Sequence, residues 1–98
     1  MQTDVAKLKA DDFDPLVDHG FVLQGPAGEL ALKLVEMQRL GPAMREGGAF
    51  SLLLVSATGP FLPQAIYPLT HPELGTMELF LVPMGPMRGG NAYEVVFT

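Results

Sequence analysis

Apolar residues alternate with polar or smaller residues along much of this chain, and the alternation predicts short β-strands. Runs with this period of two cover residues 21–24, 50–55, 65–70, 77–82 and 93–97. Successive side chains of a strand point to opposite faces of a sheet, so each run predicts one inner row and one outer row. The 11 Gly and 9 Pro residues punctuate these runs and favour hairpins over long helices.

Residues 47–72 contain no charged side chain, and the strand at 50–55 is apolar on both of its faces. Its first row holds Phe50, Leu52 and Leu54, and its second row holds Leu53 and Val55. Apolar residues on both faces are typical of a strand in the middle of a sheet. Because a chain of 98 residues has a small interior, the uncharged region predicts either most of the core or an apolar contact surface.

The sequence HPELG at 71–75 predicts a hairpin turn between the strands at 65–70 and 77–82. Pro72 supplies the fixed backbone angle of the turn, and Gly75 permits the positive φ at its exit. Pro68 lies within the first of these strands and has no N–H, so we expect a free edge or a bulge there. Residues 83–91, PMGPMRGGN, predict a mobile loop before the last strand.

Residues 29–40 fit either a helix or a strand. Most of them are good helix formers, and one helical face carries Glu29, Lys33, Glu36 and Arg39. A strand with a change of parity at Leu34 and Val35 explains the alternation equally well. The residues alone leave both interpretations open.

Residues 11–17 predict one short helical turn at the amino end. Asp11 suits the capping position, and Asp12 and Asp14 suit the positive end of the helix dipole. Pro15 falls in the first turns, where its missing N–H costs little.

Four segments together resemble a small bacterial family of all-β domains of unknown function: FSLLL at 50–54, LPQAIYPLTHPELG at 62–75, LFLVP at 79–83 and YEVVF at 93–97. The resemblance implies an extended conformation for residues 30–40 and proximity to phage-tail-like fibre components, and it carries no catalytic residue. With that sixth strand, we predict an all-β fold in one domain over residues 1–98. Six antiparallel strands and one short N-terminal helical turn would form a compact barrel or a partly open sandwich.

Charge and composition exclude several classes of function. The net charge is −5, and the 6 Lys and Arg residues are scattered, which argues against a nucleic-acid partner. The absence of cysteine excludes disulfides, thiolate zinc sites and a cysteine nucleophile. The amino terminus has no apolar signal-peptide core and Pro and Gly interrupt the later apolar region, so we expect no membrane association and a cytoplasmic location by default.

The densest polar group surrounds the predicted hairpin. Tyr67, His71 and Glu73 there predict either local structure or, as the alternative, polar groups of a small-molecule or enzymatic site at the barrel mouth. Local structure is the favoured interpretation, because a His before Pro in a turn commonly bonds to nearby backbone. His19 and His71 are too far apart in sequence to form a metal signature, so we predict no catalytic, cofactor or metal residue.

Methionine is the other distinctive residue type near the carboxyl end. Met84 and Met87 suit an adaptable binding surface better than a copper site, because no Cys or His accompanies them. We therefore predict a non-enzymatic interaction or assembly module that contacts a protein partner or a second copy of itself. The predicted contact surface comprises Tyr67, Pro68, His71, Glu73, Met84 and Met87.

Overall fold

The computed structural model describes residues 7–26, 28–41, 48–56, 62–87 and 90–97. Its elements are α1 (Ala10–Phe13), the 3-10 turn η1 (Asp14–Leu16), β1 (Gly20–Gly25), β2 (Gly28–Gly41), β3 (Ala49–Ser56), β4 (Ala65–His71), β5 (Gly75–Met87) and β6 (Gly90–Phe97). No helix in these ranges is long and apolar enough to cross a membrane.

The six strands form one antiparallel sheet that closes on itself in the order β1-β2-β3-β6-β5-β4. The all-β prediction is therefore confirmed. Closure between β1 and β4 is narrow, because only Val22↔Thr70 and Leu23↔Leu69 pair there. Pairing with β1 stops next to Pro68, which keeps Glu78 of β5 as its partner on the other side. The free edge predicted at this proline is present, and the missing N–H costs no ladder hydrogen bond.

Residues 29–40 belong to the long strand β2, which pairs with β1 on one side and β3 on the other. The register on β3 shifts between Leu34 and Glu36, so Val35 is the extra residue of a bulge. This bulge is the predicted change of parity. The segment is extended despite its helix propensity, because the strand places Leu32 and Leu34 in the core, where their exposed fractions are 2% and 0%.

The barrel interior is filled by side chains from all six strands, including Phe50, Leu52, Leu79 and Phe97. One end is covered by α1, whose Phe13 has an exposed fraction of 0%. Its ring lies 6.5 Å from Phe21, 5.7 Å from Phe50 and 5.6 Å from Phe97 between ring centroids. The short helix is therefore part of the core.

The cap of α1 differs from the prediction. Lys9, not Asp11, is the N-cap residue, and its N–H donates to the Asp12 carboxylate at 2.8 Å. Asp11 instead accepts a hydrogen bond from Arg39 of β2 at 2.7 Å, in a solvent-exposed ion pair. The N-cap lies two residues earlier than predicted, because Ala10 is buried in the first turn and Asp11 contacts Arg39 of β2.

The loop predicted at 83–91 is wrong over most of its length. β5 continues to Met87, and β6 begins at Gly90 with Met87↔Gly90 as its first pair, while residues 88–89 lie outside the described ranges. Pro83 and Pro86 are tolerated because β4 begins opposite Leu81, which leaves this part of β5 paired only with β6. We refer to residues 82–87, the part of β5 that pairs only with β6, as the β5 extension. The register shifts between Pro83 and Gly85, and a strand bends at such an irregularity.

Candidate interaction surface

The six residues predicted as one contact surface lie in two separate regions, with four in β4 and the turn that follows it and two near the end of β5. Gly75 pairs with His71 at the hairpin end of the strand, so Glu73 lies in the turn there. Met84 and Met87 lie at the opposite end, beyond the point where β4 begins. The structure therefore does not assemble them into a single surface.

Tyr67 and His71 are buried, so neither contributes the exposed surface that the sequence suggested. Their exposed fractions are 7% and 4%, because strand alternation places them with Leu69 in the inner row of β4. The Tyr67 hydroxyl donates a hydrogen bond of 2.7 Å to the Pro63 carbonyl and holds the segment that leads into β4. Pro68 is half-buried, and Glu73 is exposed.

His71 lies next to a second histidine that the sequence pattern did not connect to it. The rings of His19 and His71 stack with centroids 5.8 Å apart, and Phe21 packs at 4.8 Å from His71. His19 reaches this position because its carbonyl accepts a 3.0 Å bond from the N–H of Leu34, which fixes the connector after η1 to β2. Topology, rather than spacing along the chain, brings the two imidazoles together.

The surroundings of His71 favour the neutral form of its ring. Burial lowers its pKa, the Glu73 carboxylate opposes that shift, and the neighbouring His19 adds to it. The Nδ1 atom of His71 accepts a 3.0 Å hydrogen bond from the backbone N–H of Glu73. This bond requires a lone pair on Nδ1, so the neutral ring carries its proton on Nε2.

His19, His71 and Glu73 are ligand types that suit zinc, and one possible ligand atom from each lies within 4.8 Å of the others. A metal ion would have to displace the Glu73 N–H from Nδ1 or remove the proton from Nε2 of His71. The observed bonding instead explains the cluster as a structural contact that closes the hairpin turn against the connector. This agrees with the favoured sequence interpretation of His71 as a residue that bonds local backbone.

Three large apolar residues are exposed on the outer face of the neighbouring strands β4, β5 and β6. Ile66 of β4 pairs directly with Phe80 of β5, and Val96 lies on β6. Their exposed fractions are 64%, 48% and 47%. Cross-strand neighbours are about 5 Å apart, so the side chains of Ile66 and Phe80 are close together. We refer to Ile66, Phe80 and Val96 as the outer row.

A groove opens on the same face next to the outer row. It has a volume of about 230 Å³ and lies over β3, where Ser51 pairs with Val96. Its lining residues are Glu36, Gln38, Ser51, Leu52, Leu53, Met84, Met87 and Glu94. We refer to it as the β3 groove; the two methionines predicted as binding residues form part of its wall.

Sequence reasoning missed the outer row and the acidic residues of the groove. The period of two did place Phe80 opposite the inner residues of β5, but an apolar side chain at an outer position does not show what its neighbours are. The pairing of strands that are distant in sequence, such as β3 with β6, supplies that information.

Comparison with known proteins supplies a family. No curated protein and no solved structure matches the chain. The family model described as Domain of unknown function (DUF6916) matches residues 8–97, which include every strand of the barrel and α1. The chain therefore belongs to the DUF6916 family of domains of unknown function.

Proposed function

We propose that this domain is a non-enzymatic protein-interaction module and that a partner protein binds across the outer row. The observation that carries the proposal is the exposure of Ile66, Phe80 and Val96 on three adjacent strands, with Ile66 and Phe80 directly paired and each residue about half exposed or more. Contiguous exposed apolar strips mark interaction sites, whereas single exposed apolar residues are ordinary. The assembly role next to phage-tail-like components, which the sequence resemblance implies, is part of this proposal.

The barrel interior supports a binding role on the outside. Large side chains occupy the positions where a ligand inside the barrel would lie, including Phe50, Leu54 and Tyr93, all with exposed fractions of 0%. Small barrels of this kind fill their interior with side chains. Tyr67 and His71 each make a hydrogen bond with local backbone.

Site-specific photocrosslinking tests the proposal. A benzoylphenylalanine in place of Phe80 should give a discrete crosslinked species in cells that express the full chain, to be identified by mass spectrometry. Leu40 is the matched control position, because it is 47% exposed and lies outside the outer row. The same species should disappear when I66E or V96E is added to the photoreactive chain.

The identity of the crosslinked species then decides the kind of partner. A different protein supports the proposal as stated, and a second copy of this chain shows that the same surface serves self-association. Equal crosslinking from positions 80 and 40, or none from position 80, would refute an interface at the outer row. Sedimentation of purified wild-type chain and F80E over a wide concentration range separates self-association from partner binding.

A further inference from the structure

The β3 groove places two carboxylates on either side of an apolar floor. Leu53 pairs with Glu36 of β2 on one side and with Glu94 of β6 on the other. Neighbouring strands lie about 4.8 Å apart, so the two Glu backbones are separated by roughly 10 Å with Leu53 between them. The side chains of both acids line the groove and give it negative charge.

Neither carboxylate is neutralised within the described part of the chain. The ion pairs there are Lys33 with Asp18 and Arg39 with Asp11, and no cation of those residues pairs with Glu36 or Glu94. A groove with charges of one sign over an apolar floor concentrates the field and attracts a ligand of the opposite charge. The protein as a whole has a net charge of −5, which favours a basic ligand further.

Ser51 adds a hydroxyl group to the wall of the groove. It pairs with Gln38 of β2 and with Val96 of β6, which places it beside the two acids. A hydroxyl oxygen can accept a hydrogen bond from a cationic head group that enters the groove.

The size and wall of the groove fit one long side chain. Drug-sized ligands occupy roughly 300–1,000 Å³, and this groove holds about 230 Å³. Met84 and Met87 supply flexible thioether chains that pack against an aliphatic stem. The acidic rim then suits the charged head of that stem, as long basic side chains combine an apolar stem with a charged end.

We propose that the β3 groove binds a Lys or Arg side chain of a basic partner segment, whose adjoining apolar residues cover the outer row. The two surfaces are continuous, because Val96 of the outer row pairs with Ser51 of the groove. The inference rests on the proposed interaction function and adds the chemistry of the partner. It assigns the aliphatic stem to Leu53 and the methionines, and the cationic head to Glu36, Glu94 and Ser51.

A titration with small probes tests the groove without the partner. n-Butylguanidinium reproduces an Arg side chain, n-pentanol is its neutral counterpart, and pentanoate is its anionic counterpart. Binding is followed by NMR shifts of the Met84 and Met87 methyl groups and of the Leu53 amide in the full chain. We expect saturable shifts with n-butylguanidinium, weaker ones with n-pentanol and none with pentanoate.

Charge-neutralising variants make the test specific. E36Q and E94Q should each weaken n-butylguanidinium binding about two- to fivefold, as expected for partly exposed ion pairs, and added salt should weaken it further. E78Q is the matched control. It also removes one negative charge, but Glu78 is exposed on β5 and does not line the groove. E78Q should bind the probe like the wild-type chain.

Four results would overturn the inference. The first is equal binding of n-butylguanidinium and n-pentanol, and the second is an equal effect of E36Q, E94Q and E78Q on that binding. The third is stronger binding of Ca²⁺ alone at the same residues, and the fourth is binding of n-butylguanidinium that appears only in R88Q. Arg88 follows Met87 in the sequence and lies outside the described residues, so the last result would mean that the chain supplies its own cation. The titration needs no partner, so its failure is distinguishable from a failed crosslink at Phe80.

Discussion

Replacing Phe13 by Ala is the sharpest test of how this barrel is held together. The helix α1 has four residues, and Phe13 is the large side chain that it buries at the end of the barrel. Its ring contacts Phe21 of β1, Phe50 of β3 and Phe97 of β6. The variant therefore removes contacts with three strands at once, while Leu8, Ala10 and Leu16 remain as the other buried residues of this segment.

The expected loss follows from complete burial. A Phe-to-Ala change in a core costs about 3–5 kcal/mol, through lost transfer free energy and the cavity left behind, and each aromatic pair adds about 0.5–1.5 kcal/mol to the wild-type packing. The surface ion pair between Asp11 and Arg39 cannot hold α1 in place, since exposed pairs contribute about 1 kcal/mol or less. We expect a loss of at least 3 kcal/mol, roughly the lower bound of the range for such cavities.

Urea denaturation followed by circular dichroism measures this loss. F80A is the matched control, because Phe80 is 48% exposed on the outer face and should cost about 1 kcal/mol or less. F13L retains apolar volume and should fall between the two variants. In thermal unfolding, F13A should lower Tm by at least roughly 12 °C for a domain of this size. If F13A and F80A lose the same stability, α1 is not part of the core.

Three further predictions concern local features. Because burial lowers the pKa of His71, the unfolded chain binds more protons as pH falls below the ordinary value of about 6.5; wild-type stability measured by urea titration should therefore fall from neutral to acidic pH more steeply than that of H71Q. Y93F leaves the buried N–H of Leu62 without its 2.9 Å acceptor and should cost about 1–3 kcal/mol, with faster amide exchange at Leu62; unchanged exchange would contradict this. G85A should destabilise the fold by about 1 kcal/mol because φ is 98° at Gly85, whereas G20A, with ordinary φ and its nearest atom at 3.9 Å, should not; equal thermal midpoints would count against a required bend.

Much of the fold could be predicted because period-two alternation is a direct consequence of strand geometry. The inner rows at 50–54, 77–81 and 93–97 are buried as the pattern required. The bulge at Val35 could also be predicted, because a change of parity within one strand requires an extra residue on one side of the ladder. Choosing strand over helix for that segment depended on the family resemblance, because local propensity favoured the wrong answer.

The candidate surface was much less predictable, because it depends on which strands become neighbours. Glu36 and Glu94 are 58 positions apart in the sequence, yet they face each other across Leu53. The contact of His19 with His71 arises in the same way, from the connector that follows η1. Alternation assigns a residue to a face of the sheet, but it does not assign its lateral neighbours.

The error over residues 83–91 bears directly on the proposed function. Two prolines, with glycine between them, indicate a loop when every strand is assumed to have two partners. The β5 extension has one partner, and only under that condition can Pro83 and Pro86 lie in a strand without breaking its ladder. The same extension brings Met84 and Met87 to the wall of the β3 groove. The local sequence rule therefore fails at the segment that forms the candidate binding site, where departures from such rules are expected.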